Sequence, residues 1–291
     1  MLFGVAGVFA IGLSATQINI FINTNFAASC AEGSVSWLNY SFRLVQLPIG
    51  LFGVAISIAA LPLLARQASK KQFEDMRDTF VSSLTMVFAL TIPATLGLIL
   101  LADPIIQVIF EHGAFTAFDT RATAVALSLY GVGLFAYAAN KVIVPVYYAI
   151  DAPRFPVIAS FMAIGFNILI IVNTIEQYQH RAIALSTSTV MIINFLFLAT
   201  VLYVRLGGFP LARLFNGVTK IAVATVVMSI VLRQLHGYLA EWFARGLVHQ
   251  CTALFTIIVI SAGCYALVLH VLKLRELTDV TMKIKERFHR S

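Results

Sequence analysis

The sequence predicts an all-α polytopic membrane protein with eight transmembrane helices, and three observations carry that expectation. First, 60% of the residues are hydrophobic and only 11% are charged, with a mean hydropathy of +0.91. A soluble domain of this length carries about 25% charged residues to cover its surface. Second, long apolar runs recur along the chain, separated by short polar breaks such as Glu32-Gly33, Asp103-Pro104, His112-Gly113, Asp151-Ala152-Pro153 and Gly207-Gly208. Third, Lys and Arg gather at the ends of those runs. A net charge of +7 distributed this way is a topology signal and argues against a nucleic-acid partner.

Eight spans follow, at 2–26, 34–66, 78–101, 118–149, 155–175, 182–205, 212–235 and 247–272. Met1–Phe26 lacks a basic leader, and Gln17, Asn19, Asn23 and Asn25 interrupt its second half, so it reads as a first span and not a signal peptide. Ser34–Arg66 is longer than a bilayer requires: 33 residues of helix run roughly 50 Å against a hydrocarbon core of about 30 Å. Pro48, Gly50 and Gly53 in its middle predict a bend or hinge. In the loop 102–120, Pro104–Phe110 suits a short interfacial helix. Glu111, His112 and Asp119 there fit no metal spacing, whereas Thr116 or Asp119 suits a helix cap. Span 118–149 holds Lys141 and, at Pro145, a second bend. Cys30, Cys251 and Cys264 show no pairing pattern and read as apolar filler. The tail 273–291 alternates basic and apolar residues, as an amphipathic helix on anionic headgroups or a positive stop-transfer segment would.

Counting Lys and Arg gives the orientation. One side of the bundle receives 14 of the 20, the other receives four (Arg121, Arg181, Arg233 and Arg245), and Arg43 and Lys141 lie within spans. The side with 14 is expected to be cytoplasmic, and with eight crossings both ends of the chain fall there.

Arg43 and Lys141 are the candidate substrate-binding residues. A guanidinium inside a span is costly unless it faces a cavity or snorkels to the interface. Asn39 and Gln46, at i−4 and i+3, extend a polar stripe along the helix of Arg43, which favours a cavity. Lys141, with Asn140 beside it and Tyr137 a turn earlier, lies about 12 Å from the inner end of its span, close enough to snorkel instead. Two cations with no acid inside any span beyond its first two residues make an interior that attracts phosphates or carboxylates. Asn19, Asn23, Asn167 and Thr187 are either interhelical glue or neutral oxygen ligands for a small cation; the absence of a carboxylate among them favours glue. No metal pair, nucleotide loop or nucleophile elbow appears, so the chain is not expected to be an enzyme or to carry a cofactor.

Several stretches carry a resemblance. GSVSWLNYSFRLVQLPIGLFGVAISIAALPLLAR resembles the second helix of the C-terminal half of the MurJ/MviN lipid II flippases. FEHGAFTAFDT is similar to their external loop, VPVYYAIDAPRFPV to their next internal turn, and QINIFINTNFA to the helix that opens that half. The resemblance implies the MOP exporter fold, with two six-helix lobes and two further helices. Residues 1–205 would be the C-terminal lobe, 206–272 the additional pair forming a lipid-tail groove, and 273–291 a basic cytoplasmic tail. It further implies a non-enzymatic alternating-access flippase for lipid II, the undecaprenyl-pyrophosphate-linked peptidoglycan precursor, in the bacterial cytoplasmic (inner) membrane. Membrane lipids and a separate or missing N-terminal lobe would be its partners, and membrane potential or a monovalent cation its driving force. Arg43 falls on the family's cavity arginine in this helix, and Lys141 on a lysine of some relatives. Phe42 stands where many relatives have Asp, and Asn19 and Asn23 stand where some carry a sodium site with Asp. Two further readings accompany it: a flippase for another polyprenyl-pyrophosphate glycan, and a non-transporting membrane scaffold.

Overall fold

The computed structural model describes residues 17–274, and among them the secondary structure is helical without strands. Helix α1 covers residues 17–28, so most of the expected first span, and the tail beyond residue 274, lie outside the described residues. There follow α2 (Ser34–Pro48), a π-helical segment (Ile49–Val54), α3 (Ala55–Ser69), α4 (Phe73–Leu100), α5 (Ala102–Phe110), α6 (Ala117–Val132), α7 (Leu134–Ala149), α8 (Arg154–Tyr178), α9 (His180–Arg205), α10 (Leu211–Tyr238), α11 (Ala240–Phe243) and α12 (Leu247–Val271). Among the described residues six helical stretches are long and apolar enough to cross a membrane, or seven if α6 and α7 form one span. These are the second to eighth expected spans; a count of eight would need the residues before 17.

Two interior clusters hold the bundle, one toward each end. Leu64, Phe80, Tyr147, Leu202, Leu206 and Leu269 belong to the first, with the α3–α4, α7–α8 and α9–α10 turns. Leu38, Ile105, Ile106, Leu127, Ile183, Leu232 and Leu254 belong to the second. Consecutive helices therefore contribute alternate ends to the same cluster, as chain crossings require. At the first end, neighbouring side chains of α4 hold both sides of the α9–α10 turn. The Arg77 guanidinium donates to the Leu206 carbonyl, and Asp78 pairs with Arg213 at 3.6 Å. Helix α10 packs on both α12 and α4, and α12 reaches α4 through the Tyr265 hydroxyl, which donates to the Ala89 carbonyl at 2.5 Å.

The long second span is one stretch, Ser34–Ser69, remodelled where the sequence places Pro48. Proline has no amide hydrogen for the carbonyl one turn back, and widening the next turn to a π-helix accommodates the mismatch. Gly53 is there for contact: a Cβ on it would meet the Ala138 Cα of α7 at 2.9 Å. One turn on, the Ser57 hydroxyl donates to the Lys141 carbonyl at 2.6 Å, so the same seam fixes the backbone of Lys141.

Span 118–149 is not the single helix the sequence suggested. It breaks at Gly133 by 43°, whereas Pro145 stays inside α7. The Gly133 amide donates to the Tyr130 carbonyl at 3.1 Å instead of to Leu129, and the Ser188 hydroxyl of α9 takes the freed Leu129 carbonyl at 2.7 Å. A Cβ on Gly133 would approach the Ser188 Cα to 2.7 Å. The bend thus arises from a glycine and a serine on another helix, which no local pattern around residue 133 announces.

These contacts separate three glycines. Gly53→Ala and Gly133→Ala should each lower stability by about 1–3 kcal/mol through overpacking. Gly50→Ala, with nothing within 4 Å of its Cβ, should lose none. Thermal unfolding of the detergent-solubilised protein checks this; an equal loss at all three positions would contradict it.

Candidate functional site

Exposed positions on α2 fall at Ser36, Asn39, Arg43, Gln46 and Leu47, a helical stripe that Gly50 of the π segment continues. The opposite face is pinned. Trp37 is buried, and its Nε1 donates to Asp119 Oδ1 at 2.8 Å. Its ring also meets His180 at 5.0 Å and Phe118 at 5.6 Å, centroid to centroid. The Ser41 hydroxyl donates to the Thr123 carbonyl of α6 at 2.8 Å. These contacts fix the rotation of α2 and so decide which residues face outward.

Beside that stripe, a recess of about 420 Å³ opens between α1, α2, the π segment, α6, α7, α8 and α9. Asn39, Gln46 and Gly50 come from the α2 side, Tyr137 and Lys141 from α7, Ser160 from α8 and Thr187, Met191 and Asn194 from α9. Phe42 lines it and leans on Tyr130 and Tyr137 at 5.4 and 6.1 Å. The recess is therefore amide- and hydroxyl-rich, with an aromatic wall and Lys141 as its cation. Arg43 does not line it. At 100° per residue, Asn39 and Gln46 both lie some 40–60° to one side of Arg43, so the recess takes those two and leaves Arg43 exposed outside it.

Asn19, Asn23, Asn167 and Thr187 come together at the inner wall. The Asn167 amide nitrogen donates to Asn19 Oδ1 at 2.5 Å and to Asn23 Oδ1 at 2.7 Å. Asn23 donates in turn to Thr187 Oγ1 at 3.1 Å. Asn167 is fully buried, and its own oxygen accepts from Ser186 at 2.7 Å. Each amide oxygen here already has a donor, and the network ties α1 to α8 and α9. Asn194 and Asn140 bond to backbone carbonyls instead, of Ala159 at 3.2 Å and Met191 at 3.4 Å.

The polar residues of the loop 102–120 act as caps. The Asp119 carboxylate accepts from the Thr116 amide at 2.8 Å and hydroxyl at 2.7 Å, and Thr120 donates to Glu111 at 2.6 Å. Among the described residues no His/Cys/Asp/Glu group is arranged to hold a metal, and the three cysteines are unpaired. The sequence reading did not single out Trp37, Ser160 or Met191. The last was legible, since Thr187, Met191 and Asn194 recur at i, i+4 and i+7; the first was not, because its partners lie more than 80 residues away.

The helix arrangement is similar to that of solved MOP-superfamily transporters. An outward-facing multidrug resistance MATE family transporter of that superfamily has a TM-score of 0.59 with 14% identity over 94% of this chain and 67% of its own, a likeness of fold alone. Within that fold the chain belongs to the MurJ family: the model of "Lipid II flippase MurJ" matches residues 2–252. Probable lipid II flippases MurJ of Buchnera aphidicola (subsp. Acyrthosiphon pisum) and Vibrio cholerae are 31% and 32% identical over 91% of this chain, covering 52% and 50% of their own lengths. A structure of lipid II flippase MurJ in an inward closed conformation has a TM-score of 0.66 at 29% identity, covering 86% of this chain and 51% of its own. The chain thus spans about half the length of the curated relatives it matches. Those relatives are named as transporters and not as catalysts.

If the amide network is a tie between helices, Asn167→Leu should remove the bonds it makes to the half-buried Asn19 and Asn23 and to the buried Ser186, cost roughly 1–3 kcal/mol and lower the melting temperature. The unsubstituted protein should then melt at the same temperature in sodium and in choline chloride. A rise specific to sodium would place a cation among these oxygens and contradict the tie.

Proposed function

We propose that this chain is the C-terminal part of a lipid II flippase of the bacterial cytoplasmic membrane, working by alternating access. Residues 1–205 form its six-helix lobe, 206–272 the additional pair that carries the lipid tail, and 273–291 a basic cytoplasmic tail. The observation that carries the reading is the coincidence of family membership with a polar recess holding Lys141 beside the exposed Asn39–Arg43–Gln46 stripe. A pyrophosphate needs donors that stay charged in low dielectric, and Arg offers a planar fork suited to two phosphate oxygens. Neutral amides such as Asn39 and Gln46 suit the sugar hydroxyls, which demand both donors and acceptors.

In this reading Arg43 faces a second lobe across the substrate, so that the two lobes together enclose the head group. The π segment after Pro48, with Gly50 open and Gly53 seated on α7, is the hinge about which the outer half of the second span moves. Membrane potential drives the cycle, acting on the charge of substrate and cavity, while the Asn19/Asn23/Asn167/Thr187 network stays closed. Both ends of the chain are cytoplasmic, following the excess of Lys and Arg on that side.

The test is complementation in a bacterium depleted of its own flippase, with this chain supplied together with a matching first lobe. The unsubstituted chain should rescue growth. Arg43→Ala should not, and Arg43→Lys should rescue poorly, because a point charge replaces a bidentate fork. Lys141→Gln should reduce transport by about 10-fold at equal membrane abundance, as loss of one charge-assisted hydrogen bond of about 1.5 kcal/mol implies. Rescue by Arg43→Ala equal to the unsubstituted chain would overturn the assignment.

A further inference from the structure

At the end of the bundle that carries the basic turns, far along the chain from Arg43, two arginines share one aromatic ring. The Arg154 guanidinium carbon lies 5.0 Å from the Phe155 ring centroid, and that of Arg205 lies 4.7 Å from the same centroid. Both arginines are exposed, and among the described residues neither has a carboxylate within salt-bridge distance. Two like charges drawn to one ring repel each other unless an anion lies between them.

The local backbone makes the arrangement less favourable still for Arg154. It is the first residue of α8, at the positive end of the helix dipole, where a cation is disfavoured and an anion favoured. Arg205 closes α9 and is favourably placed at its negative end. Helix α9 thus accounts for Arg205 on its own, whereas Arg154 lacks a compensating partner.

The surface below the pair is apolar. Ile158 and Phe161, at i+4 and i+7 from Arg154, are 45% and 54% exposed and continue its stripe along α8. A soluble anion has no use for such a surface. A diacyl lipid does, because its chains lie against the stripe while its phosphate reaches the cations at the end.

We propose that Arg154, Arg205 and Phe155 form a binding site for the phosphate of an anionic membrane phospholipid, on the lipid-facing side of α8 and α9. The phosphodiester accepts from both guanidinium forks, and the acyl chains run along Ile158 and Phe161. The site is separate from the recess, shares no residue with it and does not depend on what the recess transports.

The experiment is native mass spectrometry of the full chain purified in neutral detergent and titrated with phosphatidylglycerol or phosphatidylcholine. Phosphatidylglycerol should be retained with about tenfold higher apparent affinity. The double substitution Arg154→Gln/Arg205→Gln should bring the two lipids within about twofold, while Arg245→Gln, at the opposite end, should leave the preference intact. Phe155→Leu keeps both charges and should still cost severalfold, which diffuse attraction to a basic surface would not. It also carries the test should the double variant fail to fold. Equal retention of the two lipids by the unsubstituted chain, or an undiminished preference in the double variant or in Phe155→Leu, would overturn the site. Millimolar inorganic phosphate should not displace the lipid; displacement would reassign the site to a free anion and overturn the lipid proposal.

Discussion

In hydrocarbon a backbone amide or carbonyl has no water to bond, so every departure from regular helix must be satisfied by the protein itself. That constraint shapes this bundle at its two irregular places. After Pro48 the chain widens into a π turn and seats Gly53 on α7. At Gly133 the ladder lapses, and Ser188 supplies the missing donor to Leu129. Both places border the recess: Gly50 lines it after the first, and Tyr130 and Tyr137 line it on either side of the second. The irregular backbone is thus found where the protein makes room for a polar site.

The same rule governs the side chains. Asn167 is fully buried, yet its nitrogen and oxygen are engaged with Asn19, Asn23 and Ser186. Such a network closes the inner wall of the recess and joins α1 to the rest. Lys141 and Arg43 are handled differently. Each stays exposed, one inside the recess and one beside it, so neither pays for desolvation until something anionic arrives.

Much of this was legible in the sequence. Seven of the expected spans, the short helix after Ala102 and the Thr116/Asp119 cap follow from local composition and capping chemistry. The stripe of Asn39, Arg43 and Gln46 follows from helical spacing. What spacing could not give is the rotation of α2 against its neighbours, set by Trp37 reaching Asp119 and Ser41 reaching Thr123. That rotation turns Asn39 and Gln46 into the recess and Arg43 away from it. Nor could it give the break at Gly133, which depends on a serine 55 residues further along the chain. Pro145 looked the better breaker, but near its end of α7 it is accommodated within the helix.

The central claim is that the exposed stripe of α2 faces an aqueous, substrate-accessible cavity and not lipid. Thiol accessibility tests this most directly, on a background with Cys30, Cys251 and Cys264 replaced by serine. Single cysteines at Gln46, Asn39 and Arg43 are compared with Val204, which is 73% exposed on α9. In membranes containing the chain together with a matching first lobe of the kind proposed above, a water-soluble, membrane-impermeant thiol reagent should modify the three α2 positions readily. A matching substrate head group should protect them, and Val204→Cys should stay unreactive. If Gln46→Cys and Arg43→Cys are as unreactive as Val204→Cys, the stripe faces lipid and the account fails.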